Sequence, residues 1–296
     1  TRNPKGTLVG GATDVGLWVT KNLSELKEIC FIGQIEEMSK IDVSSKALNV
    51  GASTTIEALR HELQKKYPDF SELLRRYGSM QVRNAATLGG NIANGSPIGD
   101  SPPALIAIGA SILLNRNSKH RKIAIEDFFI KYGQQDRHPG EFIESIEIPL
   151  TEKNLKCYKI SKRFDQDISA ICGCFNITLE KNRVKAARIA FGGMAEIPKR
   201  ATSVEKFLVG RIWSEKTISG AMIEFDKDFN PISDLRATSE YRKITAKNFI
   251  IATGSSPIEI PPFPFDEKKI ISSTGFLNLK KLPKRLVILG AGAIGI

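Results

Sequence analysis

The sequence predicts an α+β fold in two units, followed by a shorter third segment of different character. Three observations predict it. Short apolar runs alternate with helix-like stretches over residues 1–150. A strand meander followed by helices spans residues 155–245. Glycine-rich turns punctuate both units. With 296 residues, 41% of them hydrophobic, the chain is long enough for about two domains with real cores.

Thr7 to Val9 reads as a strand and the glycines after it as a turn. Asp14 to Lys21 reads as a helix, with Asp14 in the first turn, where a carboxylate suits the helix dipole. Leu48 to Val50 is a second strand. Thr54-Thr55-Ile56-Glu57 has the pattern of a capping box opening a helix through Lys65, and Tyr67-Pro68 ends it. Glu72 to Tyr77 is a short helix stopped by Gly78. A long loop follows over 83–100. Pro102-Pro103 open a helix to Ile108, and Ser111–Leu114 and Phe142–Ile148 are strands, closed by Pro149. In the second unit, Cys157–Ser161 and Ala170–Leu179 alternate like strands. Lys181-Asn182 turns the chain into Val184–Phe191, and Gly192-Gly193 ends that strand. Ser203–Leu208, Ser214–Phe225 and Ser239–Lys247 are helices on one face of the meander.

Composition narrows the function. Charged residues make up 25%, ordinary for a globular protein. No run approaches the roughly 20 apolar residues of a membrane span. The lack of a basic-then-apolar leader and a free-thiol use of cysteine point to the cytoplasm, and the opening at Thr1 suggests a fragment. The cysteines, 4 in number, form no C-x-x-C pair, and Cys172 and Cys174 are expected on one face of a strand in the core. His61, His120 and His138 show no metal-ligand spacing. A net charge of +11 favours acidic partners. The densest basic run, Arg116 to Lys122, lacks the interleaved aromatics of a nucleic-acid platform and reads as a solvated turn. Neither nucleic acid nor membrane is an expected partner.

Two glycine-rich loops carry the chemistry. The first is Thr7-Leu8-Val9-Gly10-Gly11-Ala12-Thr13-Asp14-Val15-Gly16. The second runs from Arg83 to Asp100 and contains Thr87-Leu88-Gly89-Gly90-Asn91. Glycine pairs let backbone N–H groups approach an anion with no Cβ in the way. Two such loops can hold a diphosphate from both sides. Neither is a P-loop, because no Gly-Lys-Ser/Thr follows.

These residues resemble a known family. LVGGATDVGLWVTK, QVRNAATLGGNIANGSPIGDSPPAL and FIESIEIPL are similar, in order and spacing, to the FAD-binding subunit of the xanthine dehydrogenase group of molybdenum hydroxylases. YKISKRFDQDISAICGCFNITL looks like the start of that subunit's C-terminal domain. The resemblance covers residues 7 to about 245. It implies a two-part FAD-binding domain (vanillyl-alcohol-oxidase/PCMH-like) over 1–150, short at its N-terminus. It also implies a CO dehydrogenase flavoprotein C-terminal-like α+β domain over 155–245.

In that family, electrons from a molybdenum centre pass through iron–sulfur clusters to FAD and then to NAD. The resemblance implies an oxidoreductase component of purine catabolism. Its partners would be a molybdopterin-binding large subunit and a 2Fe-2S domain, in a hetero-oligomer. The family match puts Leu8, Val9, Gly10, Gly11, Ala12, Thr13, Asp14 and Val15 on one side of the FAD diphosphate. Thr87, Leu88, Gly89, Gly90 and Asn91 close from the other side. Tyr77 matches an aromatic ring near the cofactor. Asp100 matches a carboxylate on the ribose side, and Ile143 and Lys159 match later flavin contacts. No acid–base residue and no metal ligand is expected on the chain.

From about residue 246 the resemblance changes. AKNFIIATGSSPIEIPPFPFDEKKIISSTG and LVILGAGAIGI look like an internal fragment of dihydrolipoamide dehydrogenase, ending in a Rossmann-like G-x-G-x-x-G cut at its first turn. Phe249–Ala252 and Arg285–Leu289 read as strands. The redox dithiol of that family is absent, so no disulfide reductase is expected. The chain reads as a chimera joined near residues 245–248, and a fusion of two flavoprotein fragments without catalysis is the alternative expectation.

Overall fold

Alternating burial builds the first sheet. The computed structural model describes residues 6–150 and 154–251, together with Asp266 and Ile270. In it, β1 (Thr7–Val9) leads through the first glycine loop into α1 (Val15–Thr20) and runs parallel to β2 (Ile29–Phe31). Next come α2 (Glu36–Ser39), β3 (Ile41–Val43) and β4 (Ala47–Gly51). Five helices follow: α3 (Ile56–Leu63), α4 (Pro68–Arg75), α5 (Met80–Ala85), α6 (Leu88–Ala93) and α7 (Ser101–Ile108). Hairpin β5 (Ser111–Arg116) and β6 (Lys119–Ala124) precedes α8 (Ile125–Phe128) and a small hairpin, β7 (Phe129–Lys131) and β8 (Gln134–Gln135). β9 (Phe142–Pro149) then enters the centre of an antiparallel sheet of order β3-β4-β9-β5-β6.

The second half is a four-stranded antiparallel sheet in chain order: β10 (Leu155–Ile160), β11 (Ile171–Glu180), β12 (Arg183–Gly192) and β13 (Lys199–Arg200). Helices α9 (Thr202–Leu208), α10 (Glu215–Asp228) and α11 (Ser239–Ile251) follow. The α+β class matches the expectation. The one-faced meander does not, because the sheet is covered on both sides. The period of two in a strand sends alternate residues to opposite faces. Cys172, Cys174 and Ala190 join the core around α7, while Ile171, Phe175, Ile189 and Phe191 join the core under α9 and α10. All eight residues of α7 are buried, so this helix is a shared filling between the two sheets.

Several local expectations are corrected. Pro68 opens α4 rather than ending α3, since a proline at the first helical position lacks only an N–H that would be unpaired anyway. The long loop over 83–100 contains α6, capped by Thr87, whose Oγ1 accepts from the Gly90 amide at 3.1 Å. The basic run is not a turn throughout. Asn117 and Ser118 make the turn with φ of 49° and 60°, and Lys119–Ala124 is an edge strand. Charge on an edge discourages further strand pairing. The cap of α3 is Thr55, accepting from Ala58 N at 3.2 Å, not Thr54. Glu57 instead takes Arg83 Nε at 2.6 Å and Arg60 Nε at 2.9 Å.

α11 runs without a break through residues 245–248, so residues 249–251 are helix rather than strand. An apolar Phe-Ile-Ile run fits either period, and an unbroken helix before it decides the outcome. Thr1–Ala252 form one compact unit and Thr253–Ile296 a second. The expected truncated Rossmann-like tail, with its glycine fingerprint and the strand at 285–289, lies outside the described residues. Among those residues, no helix is long and apolar enough to cross a membrane.

Candidate functional site

A cleft of about 500 Å³ opens where the first glycine loop, the second glycine loop and the turn of the β7–β8 hairpin meet. That volume is in the range of small-molecule sites. Of the residues singled out by sequence, Leu8, Gly10, Gly11, Ala12, Thr13, Asp14, Val15, Tyr77, Thr87, Gly89, Gly90, Asn91 and Ile143 line it. The two loops therefore face one another across one space.

Close packing explains the glycines. A Cβ on Gly11 would sit 1.6 Å from the Ala85 carbonyl oxygen, and one on Gly10 would sit 2.8 Å from Thr87 Oγ1. A Cβ on Gly89 would meet Ala52 Cβ at 2.5 Å. The loops touch backbone to backbone, which only glycine permits. Ala12 takes the left-handed conformation, φ 58°, at the tip of the first loop.

The amides of the two loops are not equivalent. Among the described residues, no protein acceptor takes the N–H groups of residues 10 to 14. In the second loop the amides of residues 88 to 91 are spent. Leu88 N donates to Thr54 O at 2.9 Å and Gly89 N to Ala52 O at 2.8 Å. Asn91 N donates to Thr87 O at 3.0 Å, and Gly90 N to Thr87 Oγ1. The expected two-sided clasp by main-chain amides is thus one-sided: the first loop offers N–H groups, and the second offers Thr87, Asn91 and Asn94 side chains. Val9 and Leu88 are core residues with no place in the cleft lining.

Tyr77 ends the run after α4 and reaches the cleft, where its hydroxyl accepts from Asn91 Nδ2 at 3.3 Å. Asn91 Oδ1 in turn accepts from Ser101 Oγ. Burial, with the charges of Asp14 and Asp100, pushes the Tyr77 phenol up to about 12. Burial also raises the Asp14 carboxyl.

Asp100 and Lys159 are a correction: neither lines the cleft. Both are 5% exposed. Asp100 Oδ2 accepts from Lys159 Nζ at 2.6 Å and Oδ1 from Ser169 Oγ at 2.5 Å. Lys159 Nζ also donates to Arg76 O at 3.2 Å. Charges buried this deeply need partners, and here the start of α7 and strand β10 supply each other's. The pair ties the start of α7 to the second sheet.

Sequence reasoning missed Trp18, Ile32, Asn94, Gln135, Arg137 and Phe142, which also line the cleft. Trp18 follows from helical spacing after Asp14. Gln135 and Arg137 carry no local signal, because tertiary packing brings their hairpin to the site.

Residues 1–151 match the family described as "FAD binding domain in molybdopterin dehydrogenase". The chain belongs to this family. Residues 156–253 match a second family, the CO dehydrogenase flavoprotein C-terminal domain. The glyceraldehyde dehydrogenase medium chain of Sulfolobus acidocaldarius is 30% identical over 242 residues, covering 81% of this chain and 86% of that one. Xanthine dehydrogenase of Emericella nidulans is 27% identical over 244 residues, which are 77% of this chain and 18% of that enzyme. The chain thus spans less than a fifth of that larger relative. A solved carbon monoxide dehydrogenase of Hydrogenophaga pseudoflava, lacking the Mo-pyranopterin moiety, shares the fold. Its TM-score is 0.78 at 22% identity, covering 83% of this chain and 86% of that chain. This chain is therefore an FAD-binding oxidoreductase component of the molybdenum hydroxylase family. Its cleft fits a dinucleotide: free amides stand at one wall, beside glycines whose missing Cβ atoms keep the loops in contact.

Proposed function

We propose that this chain is the FAD-carrying electron-transfer subunit of a molybdenum hydroxylase of the xanthine dehydrogenase type. It works with a molybdopterin-binding large subunit and a 2Fe-2S domain in a hetero-oligomer, and NAD is the final acceptor. The observation that carries the reading is the free run of amides at residues 10–14, facing the second glycine loop across one cleft. The relatives' names, a dehydrogenase medium chain and a xanthine dehydrogenase, support the partners and the substrate type.

When bound, FAD supplies the chemistry, accepting electrons and passing a hydride on. The protein supplies position and electrostatics. The N–H groups of Gly10, Gly11, Ala12, Thr13 and Asp14, which no protein acceptor takes, would hold the FAD diphosphate. Thr87 Oγ1 and the Tyr77 hydroxyl, each already accepting a hydrogen bond, keep a proton to donate into the cleft. Ile143 and Trp18 give apolar wall against ring systems and exclude water. Asp100 and Lys159 act at a remove, by fixing Arg76 next to Tyr77. No side chain need transfer a proton, since orientation and distance govern electron and hydride transfer.

The test is reconstitution. Purified chain titrated with FAD should turn yellow and hold stoichiometric flavin through gel filtration. With the large and 2Fe-2S subunits added, a reducing purine should bleach the flavin, and NAD should restore it. Correctly folded protein that takes up no FAD removes the proposal; flavin that is reoxidised by oxygen but not by NAD removes the acceptor.

A further inference from the structure

The hairpin that closes the third side of the cleft presents one unused cation. Gly133, Gln135 and Arg137 all line the cleft. The chain folds tightly between them, with Arg137 N donating to Gln135 O at 2.9 Å, and Asp136 and His138 do not line the cleft. Those two neighbours are held by one guanidinium and its partner. Arg121 Nη1 donates to Asp136 Oδ2 at 2.7 Å, and Arg121 Nη2 donates to Glu141 Oε2 at 2.8 Å. Glu141 Oε2 also accepts from His138 N at 2.8 Å. Asp136 N is fixed to Phe128 O at 2.8 Å. On the cleft side, Gln135 packs so close to Gly95 that a Cβ there would lie 2.3 Å from its Nε2.

Arg121 therefore engages the two carboxylates nearest Arg137 in sequence. Among the described residues, Arg137 makes no ion pair, and it is the one permanent cation in the cleft lining. The carboxylate in the lining is Asp14, whose ionisation burial disfavours. A guanidinium held on a clamped loop, opposite a wall of free amides, matches the fork geometry of a phosphate.

We propose that Arg137 grips a phosphate of a dinucleotide in this cleft. The inference rests on the FAD reading above. Two sources share this chemistry: the diphosphate of FAD itself, or that of a dinucleotide acceptor entering beside it.

The experiment uses the full chain with R137L, R137Q and R137K, and thermal unfolding to check the fold. FAD affinity is read by flavin fluorescence, and NAD affinity by calorimetry on the FAD-loaded chain. Loss of one charge-assisted fork should weaken binding about tenfold or more in R137L and R137Q, with R137K between them and wild type. Weakened FAD binding assigns the contact to the flavin. Unchanged FAD binding with weakened NAD binding assigns it to the acceptor. If the neutral variants bind both within about twofold of wild type, the inference is overturned while the FAD reading stands. Wild-type protein that takes up no FAD overturns both.

Discussion

At the residue scale, the glycines of the two loops differ in what they do. Gly11 has no room for even one carbon beside the Ala85 carbonyl, whereas a Cβ on Gly16 meets nothing within 4 Å. Gly11→Ala is expected to push the loops apart, costing about 1–3 kcal/mol of stability, and to abolish FAD binding in a fluorescence titration. Gly16→Ala lies in α1 and should raise stability by about 0.5–1 kcal/mol through helix propensity, with FAD affinity unchanged. Equal losses in both variants would contradict this account. Tyr77 gives a second prediction. Its phenol is held near 12 in the folded chain and lies near 10 when unfolded. The unfolded state therefore loses its proton first. Tyr77's contribution to stability is whole below pH 10 and lost as pH rises to 12. Urea unfolding of Tyr77→Phe across that window should show a flatter decline than wild type.

At the element scale, Phe129 anchors the start of the β7–β8 hairpin in the core, and the Arg121 clamp holds the chain that follows it. The Arg121 guanidinium holds the Glu141 carboxyl down to about 2, below the usual carboxylate range. A carboxylate depressed on folding stabilises above its unfolded value near 4.5 and loses that contribution as pH falls to 2. Protection factors of the amides in residues 129–141, corrected for the slower intrinsic exchange in acid, should fall on acidification through this range, ahead of those of the β4–β9 pairing. Glu141→Gln should show the same lowered protection factors at pH 7. Identical protection in the variant would mean that the hairpin is held by something else.

At the scale of the whole molecule, the two sheets are joined by α7 and by one buried ion pair at its start. Lys159→Met leaves Asp100 buried and uncompensated, a loss of about 3–5 kcal/mol by urea denaturation. Adding Asp100→Asn should recover much of it, because the orphaned charge is then gone. A double variant as unstable as the single one would show that packing, not charge, carries the effect. Since Asp100 also acts on Tyr77, the junction and the cleft are electrically one system.

The fold class, the two glycine loops that line the cleft and several strands were legible in local sequence. Period-two burial in Phe142–Pro149, the turn at Lys181-Asn182 and the paired glycines are short-range signals, set by backbone sterics and by which face is apolar. The run Ile171 to Phe175 was legible as strand, but not as a strand buried on both sides, because α7 that covers its second face comes from far earlier in the chain. Asp100 and Lys159, 59 residues apart, could be marked by family resemblance but not told apart from cleft residues. Arg137 and Gln135 gave no signal, since a loop's target is fixed by the elements it packs on. Sequence by itself determined where the chain could approach an anion. Only tertiary structure decided which amides were free to do so, because hydrogen bonds from Leu88, Gly89, Gly90 and Asn91 are satisfied within the fold and those of residues 10 to 14 are left for a ligand.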